Sequence, residues 1–233
     1  MYQQSAPETI QALFASIAKN YDRANTTFSF GLHKKWNQRL IDAMDNRKRL
    51  LDLCAGTGEI GLGFLKKNPT ARALLLDFCP EMLAIAAHKG VDFKERFEVI
   101  QADAQAIPLP DASVDAVSIA YGIRNVKNPE KCFQEVYRVL APGGCFGILE
   151  LTRPTSWLPR IGHRLYTRLV LPLLGKIVAK NTAAYHYLAS SVETFASPDA
   201  LESTLRKVGF TQFKRTPLTL GTVTLFLAVK GVK

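Results

Sequence analysis

From Leu50 to Val229 the apolar positions fall into short continuous runs separated by segments in which they recur every three or four residues. Leu50-Leu51-Asp52-Leu53-Cys54 is such a run, and a helical pattern over 59–67 follows it. The run Ala73-Leu74-Leu75-Leu76-Asp77 precedes a helix opened by Pro80 and extending to about Lys89. Phe97-Glu98-Val99-Ile100 is a third strand, with a short third helix expected near Ala104. A fourth run covers 114–121. Pro129 then opens a helix to about Leu140, and Ala141-Pro142-Gly143-Gly144 breaks it before a strand over 145–151. A last helix over 198–208 and strands near 210–214 and 223–229 close the chain, the two strands forming a hairpin-like edge. Continuous apolar runs mark strands buried on both faces, and strand-helix alternation demands crossover connections. The pattern therefore predicts an α/β fold: a seven-stranded, mostly parallel sheet with helices on both faces.

Two segments fall outside this beat, 1–48 and 152–192. The reading is one domain, with 1–48 as an N-terminal helical substrate or lid segment and 49–151 as a ligand-binding core. Residues 152–192 form a helical insertion, and 193–233 the last helix and edge strands.

The first strand runs into Ala55-Gly56-Thr57-Gly58, at the sheet edge where open α/β folds bind ligands. Two glycines there can also be only a tight connection. No phosphate loop ending Gly-Lys-Ser/Thr is present, and the ligand expected here is one without a pyrophosphate. Asp77 ends strand two, where a carboxylate can accept bonds from two ribose hydroxyls, and Asp103 follows strand three, where one can accept from an adenine amino group. A lone aspartate in such a place is more often a helix cap or turn former. Three in register, with Asp52 the first, resemble the S-adenosylmethionine pocket of class I methyltransferases. The resemblance implies that fold, Rossmann-like, and a cofactor set of Asp52, Gly56, Thr57, Gly58, Asp77, Phe78, Met82, Asp103, Ala104, Ala120 and Tyr121, with no metal.

A narrower resemblance rests on longer motifs. Tyr21-Asp22-Arg23-Ala24-Asn25, then Ser29 and His33-Lys34-Lys35-Trp36, are similar to the first signature of the ubiquinone/menaquinone biosynthesis C-methyltransferases. Gly122-Ile123-Arg124-Asn125-Val126, the stretch from Arg138 to Glu150, Leu173-Leu174-Gly175 and Tyr185-x-Tyr187-Leu188 extend the likeness over residues 14–230. Ala24, Ala141 and Thr152 depart from the usual Met, Lys and Ser. The resemblance implies methyl transfer to a ring carbon of a prenylated quinol, demethylmenaquinol first and a polyprenyl benzoquinol second. Ring carbon becomes nucleophilic only when a neighbouring hydroxyl loses its proton, so the reduced quinol is the expected acceptor. Arg124 either acidifies that hydroxyl or makes a structural ion pair; Tyr21 either bonds it or packs as a lid; His33 is either a base or a structural histidine.

Composition adds constraints. With 47% hydrophobic and 21% charged residues the 233-residue chain reads as ordinary folded protein, and four scattered cysteines argue for reduced thiols. A cytoplasmic location is expected, peripheral to the inner face of the cytoplasmic membrane, because no export signal and no long apolar run is seen. Of the net charge of +10, six charges come from Arg153, Arg160, Arg164, Arg168, Lys176 and Lys180, in a stretch between Glu150 and Glu193 without a single acid. Residues 157–178 read as a basic amphipathic helix, suited either to an anionic bilayer surface or to a lid over the site. Charge gathered in one apolar segment argues against a nucleic acid partner and an RNA methyltransferase. A non-catalytic cofactor-binding scaffold stays as the non-enzymatic alternative, and a homodimer is left open.

Overall fold

A computed structural model describes residues 7–154, 157, 187, 190–193 and 195–232. Three helices come first, α1 (Pro7–Ile17), α2 (Tyr21–Phe28) and α3 (Leu32–Ala43). The core then alternates as β1 (Arg49–Leu53), α4 (Glu59–Lys67), β2 (Arg72–Asp77), α5 (Pro80–Lys89), β3 (Phe97–Gln101), β4 (Val114–Ala120), α6 (Pro129–Val139) and β5 (Leu140–Leu151). The chain ends in α7 (Pro198–Val208), β6 (Phe210–Leu218) and β7 (Val223–Lys230). The basic stretch over 157–178 and the motifs at 173–175 and 185–188 lie outside the described residues, except for Trp157 and Tyr187.

The seven strands form one sheet in the order β3-β2-β1-β4-β5-β7-β6. β1 to β5 pair in parallel, while β7 is antiparallel to both β5 and β6. Order reverses between β1 and β4, and there the carboxyl ends of two strands diverge and leave a crevice. The expected hairpin edge needs one refinement: β7 is inserted between β5 and β6, so on that side of the sheet β6 is the edge strand.

Strand period divides the core in two. Leu51, Leu53, Val117, Ile119, Phe146 and Ile148 face α6 and α7 and pack on Phe133, Val136 and Leu205. Leu50, Ala73, Leu75, Ala116 and Leu149 face the other way, onto Leu40 and Met44 of the α3 end and Phe64 of α4. Phe133 meets Phe146 edge-on at 5.8 Å. Asp52 shares the side of Leu50, so a carboxylate is carried into the α4 layer.

Helix ends match their sequence signals. Asn128 accepts from Lys131 N–H to cap α6, Ser197 accepts from Ala200 N–H to cap α7, and Gly209 closes α7 at φ +114°. Two expectations fail. No helix forms near Ala104: the Asp103 carboxylate accepts from Gln105 N–H at 2.8 Å to make a turn, and Pro108 and Pro110 follow too closely for a helix to continue. Ala141–Gly144 does not separate α6 from a strand either. β5 begins at Leu140, paired with Val114, and a bulge absorbs the extra residues before Cys145 pairs with Ala116.

Candidate active site

The loop after β1 takes left-handed backbone at every second residue, Cys54 (φ +51°), Gly56 (φ +54°) and Gly58 (φ +83°), before entering α4. Gly58 is required twice over, because a Cβ there would also stand 3.1 Å from Ala86, Leu62 and Leu75. Asp77 holds this loop from behind: one carboxylate oxygen accepts from Gly56 N–H at 2.8 Å and the other from Cys79 N–H at 2.9 Å. Asp52 ties three elements together, accepting from Gly61 N–H of α4 at 2.9 Å and from Ser118 Oγ of β4 at 2.8 Å.

The N-terminal helices form the opposite wall. Thr57 Oγ1 donates to Asp22 Oδ1 at 2.5 Å, and Lys89 pairs with the second oxygen of Asp22 while lying 3.6 Å from Glu59. Gln11 Nε2 donates to the Phe78 carbonyl at 2.8 Å, fixing α1 over the end of β2. Tyr21 leans edge-on against Phe14 at 6.2 Å and passes close to Gly56. His33 is buried with Nδ1 2.8 Å from Ser29 Oγ, and Tyr121 donates its hydroxyl to Asn37 Oδ1 at 2.9 Å. Between the walls lies a partly open pocket.

Of the residues expected from the sequence, Tyr21, His33, Asp52, Gly56, Thr57, Ala120 and Tyr121 line this pocket together. Gly58 and Asp77 shape its floor without lining it. Met82 is buried with Ala18 and Cys79 under α1 and beside Tyr21. Phe78 follows the loop-holding Asp77, and Asp103 and Ala104 sit in the turn after β3, Asp103 being exposed. Arg124 is not in the lining. It is buried under the loop after β4, where Nη1 donates to Glu150 Oε1 at 2.5 Å and to the Tyr121 carbonyl at 2.6 Å, and Nε donates to Ser191 Oγ at 3.3 Å. The ion-pair alternative for Arg124 is thus present in the structure. Tyr187 bonds the neighbouring Asn125 through its hydroxyl at 2.9 Å.

The pocket also contains Asp22, Asn25, Asn37, Cys54 and Glu59, beyond the site residues expected from the sequence. Asp22 and Asn25 are the polar members of the Tyr-Asp-x-x-Asn motif. Asn37 lies four residues after His33, hence on the same helix face, and that spacing was the available signal.

Burial dominates the electrostatics. It pushes the Asp52 carboxyl up to about 7, against the hydrogen bonds from Ser118 and Gly61 and with help from nearby Asp77, which burial also raises. Burial raises the phenols of Tyr21 and Tyr121, so both stay protonated at neutral pH and act as donors. Burial lowers the His33 imidazole and so favours its neutral form. Burial raises the Glu150 carboxyl while Arg124 opposes the rise, and the guanidinium stays charged. Among the described residues no cluster of His, Cys, Asp and Glu could hold a metal ion, and no helix is long and apolar enough to cross a membrane.

Comparison with known proteins agrees with this layout. Residues 2–230 match the ubiE/COQ5 methyltransferase family. The chain is 43% identical to the demethylmenaquinone methyltransferase of Protochlamydia amoebophila, over all of this chain and 99% of that protein. It is 41% identical to the enzyme of the same name from Chlamydia pneumoniae, over 94% of each. Among solved structures it superposes on a SAM-dependent methyltransferase from Thermotoga maritima with a TM-score of 0.67 at 19% identity, covering 94% of this chain and 99% of that one. The [4+2]-cyclase SpnF gives 0.70 at 15% identity, covering 99% and 98%, so the fold alone does not choose the chemistry.

Proposed function

Because the chain belongs to the ubiE/COQ5 methyltransferase family, we propose that it transfers a methyl group from S-adenosylmethionine to a ring carbon of demethylmenaquinol, yielding menaquinol. The observation that carries this reading is the Thr57–Asp22 hydrogen bond: it joins the glycine turn of the donor site to the Tyr21–Asn25 motif, so that donor and acceptor residues wall one pocket.

The residues present fit the donor. The turn at Gly56–Gly58 leaves backbone room, and Asp77, with lone pairs remaining beyond its bonds to Gly56 and Cys79, can accept from ribose hydroxyls. Phe78 and Met82 would border the nucleoside, and Asp103 and Ala104 its base. The donor, when bound, supplies an electrophilic methyl carried on a sulfonium.

The chain's own side chains then act on the quinol. Tyr21, a protonated phenol, donates to the quinol oxygen and orients the ring. His33, neutral and with Nδ1 engaged by Ser29, accepts the hydroxyl proton at Nε2, and the resulting phenolate oxygen drives charge onto the adjacent ring carbon. Arg124 contributes from beneath: its fixed charge favours the phenolate without touching it, and its bond to the Tyr121 carbonyl positions the wall between the two ligands.

A prenylated acceptor comes from a bilayer, and three bulky side chains project at this end of the molecule. Phe30 (74% exposed) and Leu220 (79%) each occupy left-handed backbone, at φ +50° and +57°, and Trp157 is 73% exposed. Their loops are neighbours: Trp36 Nε1 donates to Thr219 Oγ1 at 2.8 Å, and Gly221 packs on Pro154. Exposed apolar tips beside Lys34, Lys35 and Arg153 suit an anionic membrane surface. The protein thus works as a peripheral enzyme at the inner face of the cytoplasmic membrane.

The test offers short-tailed naphthoquinol and benzoquinol acceptors together, under reducing conditions, and identifies products by mass spectrometry. Preferential methylation of the naphthoquinol is expected; exclusive methylation of the benzoquinol moves the enzyme to ubiquinone synthesis, and no product from either overturns the reading.

A further inference from the structure

The described residues include three buried acids, and they are not treated alike. Glu150 is matched by Arg124, whereas Asp52 and Asp77 have only hydrogen-bond donors for company. Two uncompensated carboxylates beside one ligand pocket are costly unless the ligand brings positive charge or they hold a proton.

The groups that line the pocket with Asp52, together with those acting on its carboxyl, make this sharper. β2 contributes Asp77, the end of β1 the Cys54 thiol, and β4 only the Ser118 hydroxyl. From α4 come Glu59 and the Gly61 N–H, from α2 Tyr21 and Asp22, and from α3 His33. Lys89 is shared between Asp22 and Glu59 and leaves nothing over for Asp52. Burial lowers the His33 imidazole and so favours its neutral form, and Arg124 is spent on Glu150. The wall is therefore net negative.

We propose that Asp52 is a specificity-determining residue that reads the charge on the ligand's sulfur, favouring the sulfonium-bearing donor over the neutral thioether left after transfer. The inference rests on the pocket being the donor's site, as proposed above. In the empty site the Asp52/Asp77 pair holds a proton through part of the physiological range, Asp52 being pushed up to about 7. Uptake of the sulfonium releases that proton to solvent, and no other bond changes. After transfer the charge is gone, the carboxylate loses its counterion, and product binding weakens relative to fresh donor.

Calorimetry on the full-length protein tests this, with S-adenosylmethionine and S-adenosylhomocysteine titrated at pH 6 and pH 8 in buffers of different ionisation enthalpy. Both ligands share an amino acid group, whose titration cancels in the comparison. At pH 6 the donor releases close to one proton more than the thioether does, and at pH 8 the difference vanishes. The affinity ratio of donor to thioether grows about tenfold between the two pH values, as expected for a carboxyl titrating near 7 that must be ionised in one complex only. Asp52→Asn keeps an acceptor for Gly61 N–H and a donor for Ser118, and it flattens the ratio. Should that variant fail to fold, Ser118→Ala removes a donor that favours the ionised form and moves the transition to higher pH. A wild-type ratio constant within twofold, or a pH slope that survives Asp52→Asn, overturns the inference while the methyltransferase reading stands; failure of both ligands to bind overturns both.

Discussion

Replacing Arg124 by Ala would leave Glu150 fully buried with no cation. The pair has side-chain exposures of 5% and 0%, and the guanidinium also bonds the Tyr121 carbonyl and Ser191. Removing one partner of a buried ion pair costs about 3–5 kcal/mol, because the orphaned charge keeps its desolvation penalty. For a chain of this size each kcal/mol lowers the melting temperature by about 2–4 °C, so Arg124→Ala should melt roughly 6–20 °C below wild type by circular dichroism at pH 8. The sign with pH follows from Glu150. Its folded carboxyl is raised by burial, and without Arg124 nothing opposes that rise. A raised carboxyl costs stability above its folded pKa and regains it as pH falls, so the deficit should shrink at pH 5. Arg124→Ala/Glu150→Gln should recover much of the loss at pH 8. Turnover should fall by orders of magnitude below the melting transition, with donor affinity retained and no rescue by the Gln variant. A single variant melting within 2 °C of wild type refutes the ion-pair argument, and near-normal turnover refutes the assigned role.

Asp22→Ala removes the acceptor for Thr57 and the partner of Lys89; a hydrogen bond to a charged group is worth about 1.5–3 kcal/mol, so amide exchange in α2 should accelerate by at least tenfold while β1 and β4 exchange as before. Equal protection of α2 in both proteins would show that the latch does not hold the helix. Gly122→Ala places a Cβ 2.5 Å from Cys54 Cβ at a backbone angle any residue tolerates, so the cost is steric, about 1–3 kcal/mol, read as a lower urea midpoint with unchanged slope. An unchanged midpoint would contradict the packing. Phe30→Ser/Leu220→Ser should weaken binding to anionic vesicles by tenfold or more and slow methylation of a long-tailed quinol in them, with a short-tailed quinol in detergent unaffected; equal vesicle binding would remove those loops from the contact.

The parallel core was legible because strands buried on both faces read as unbroken apolar runs, and α4, α5 and α7 carry Pro, Ser or Gly signals at their ends. What escaped was tertiary. The turn at Asp103 looks helical until Pro108 and Pro110 are weighed, and the bulge that lets β5 start at Leu140 depends on pairing with Val114, which no local pattern encodes. At the site, Asp52, Gly56 and Thr57 were found from their place at a strand end. Asp22 and Asn37 were not, since their partners Thr57 and Tyr121 lie 35 and 84 residues away. Arg124 was correctly placed in the loop after β4, but its burial on Glu150 could be seen only once β5 lay beside β4.

The central claim is methyl transfer to ring carbon in one pocket walled by Thr57 and the Tyr21–Asn25 motif. Donor carrying a ¹³C-labelled methyl, incubated with the protein and reduced demethylmenaquinol, tests it by NMR of the product. The account predicts the label in a methyl bonded to an aromatic carbon, and none with the oxidised quinone as acceptor; label in a methoxy group, or equal transfer to the oxidised form, would contradict it.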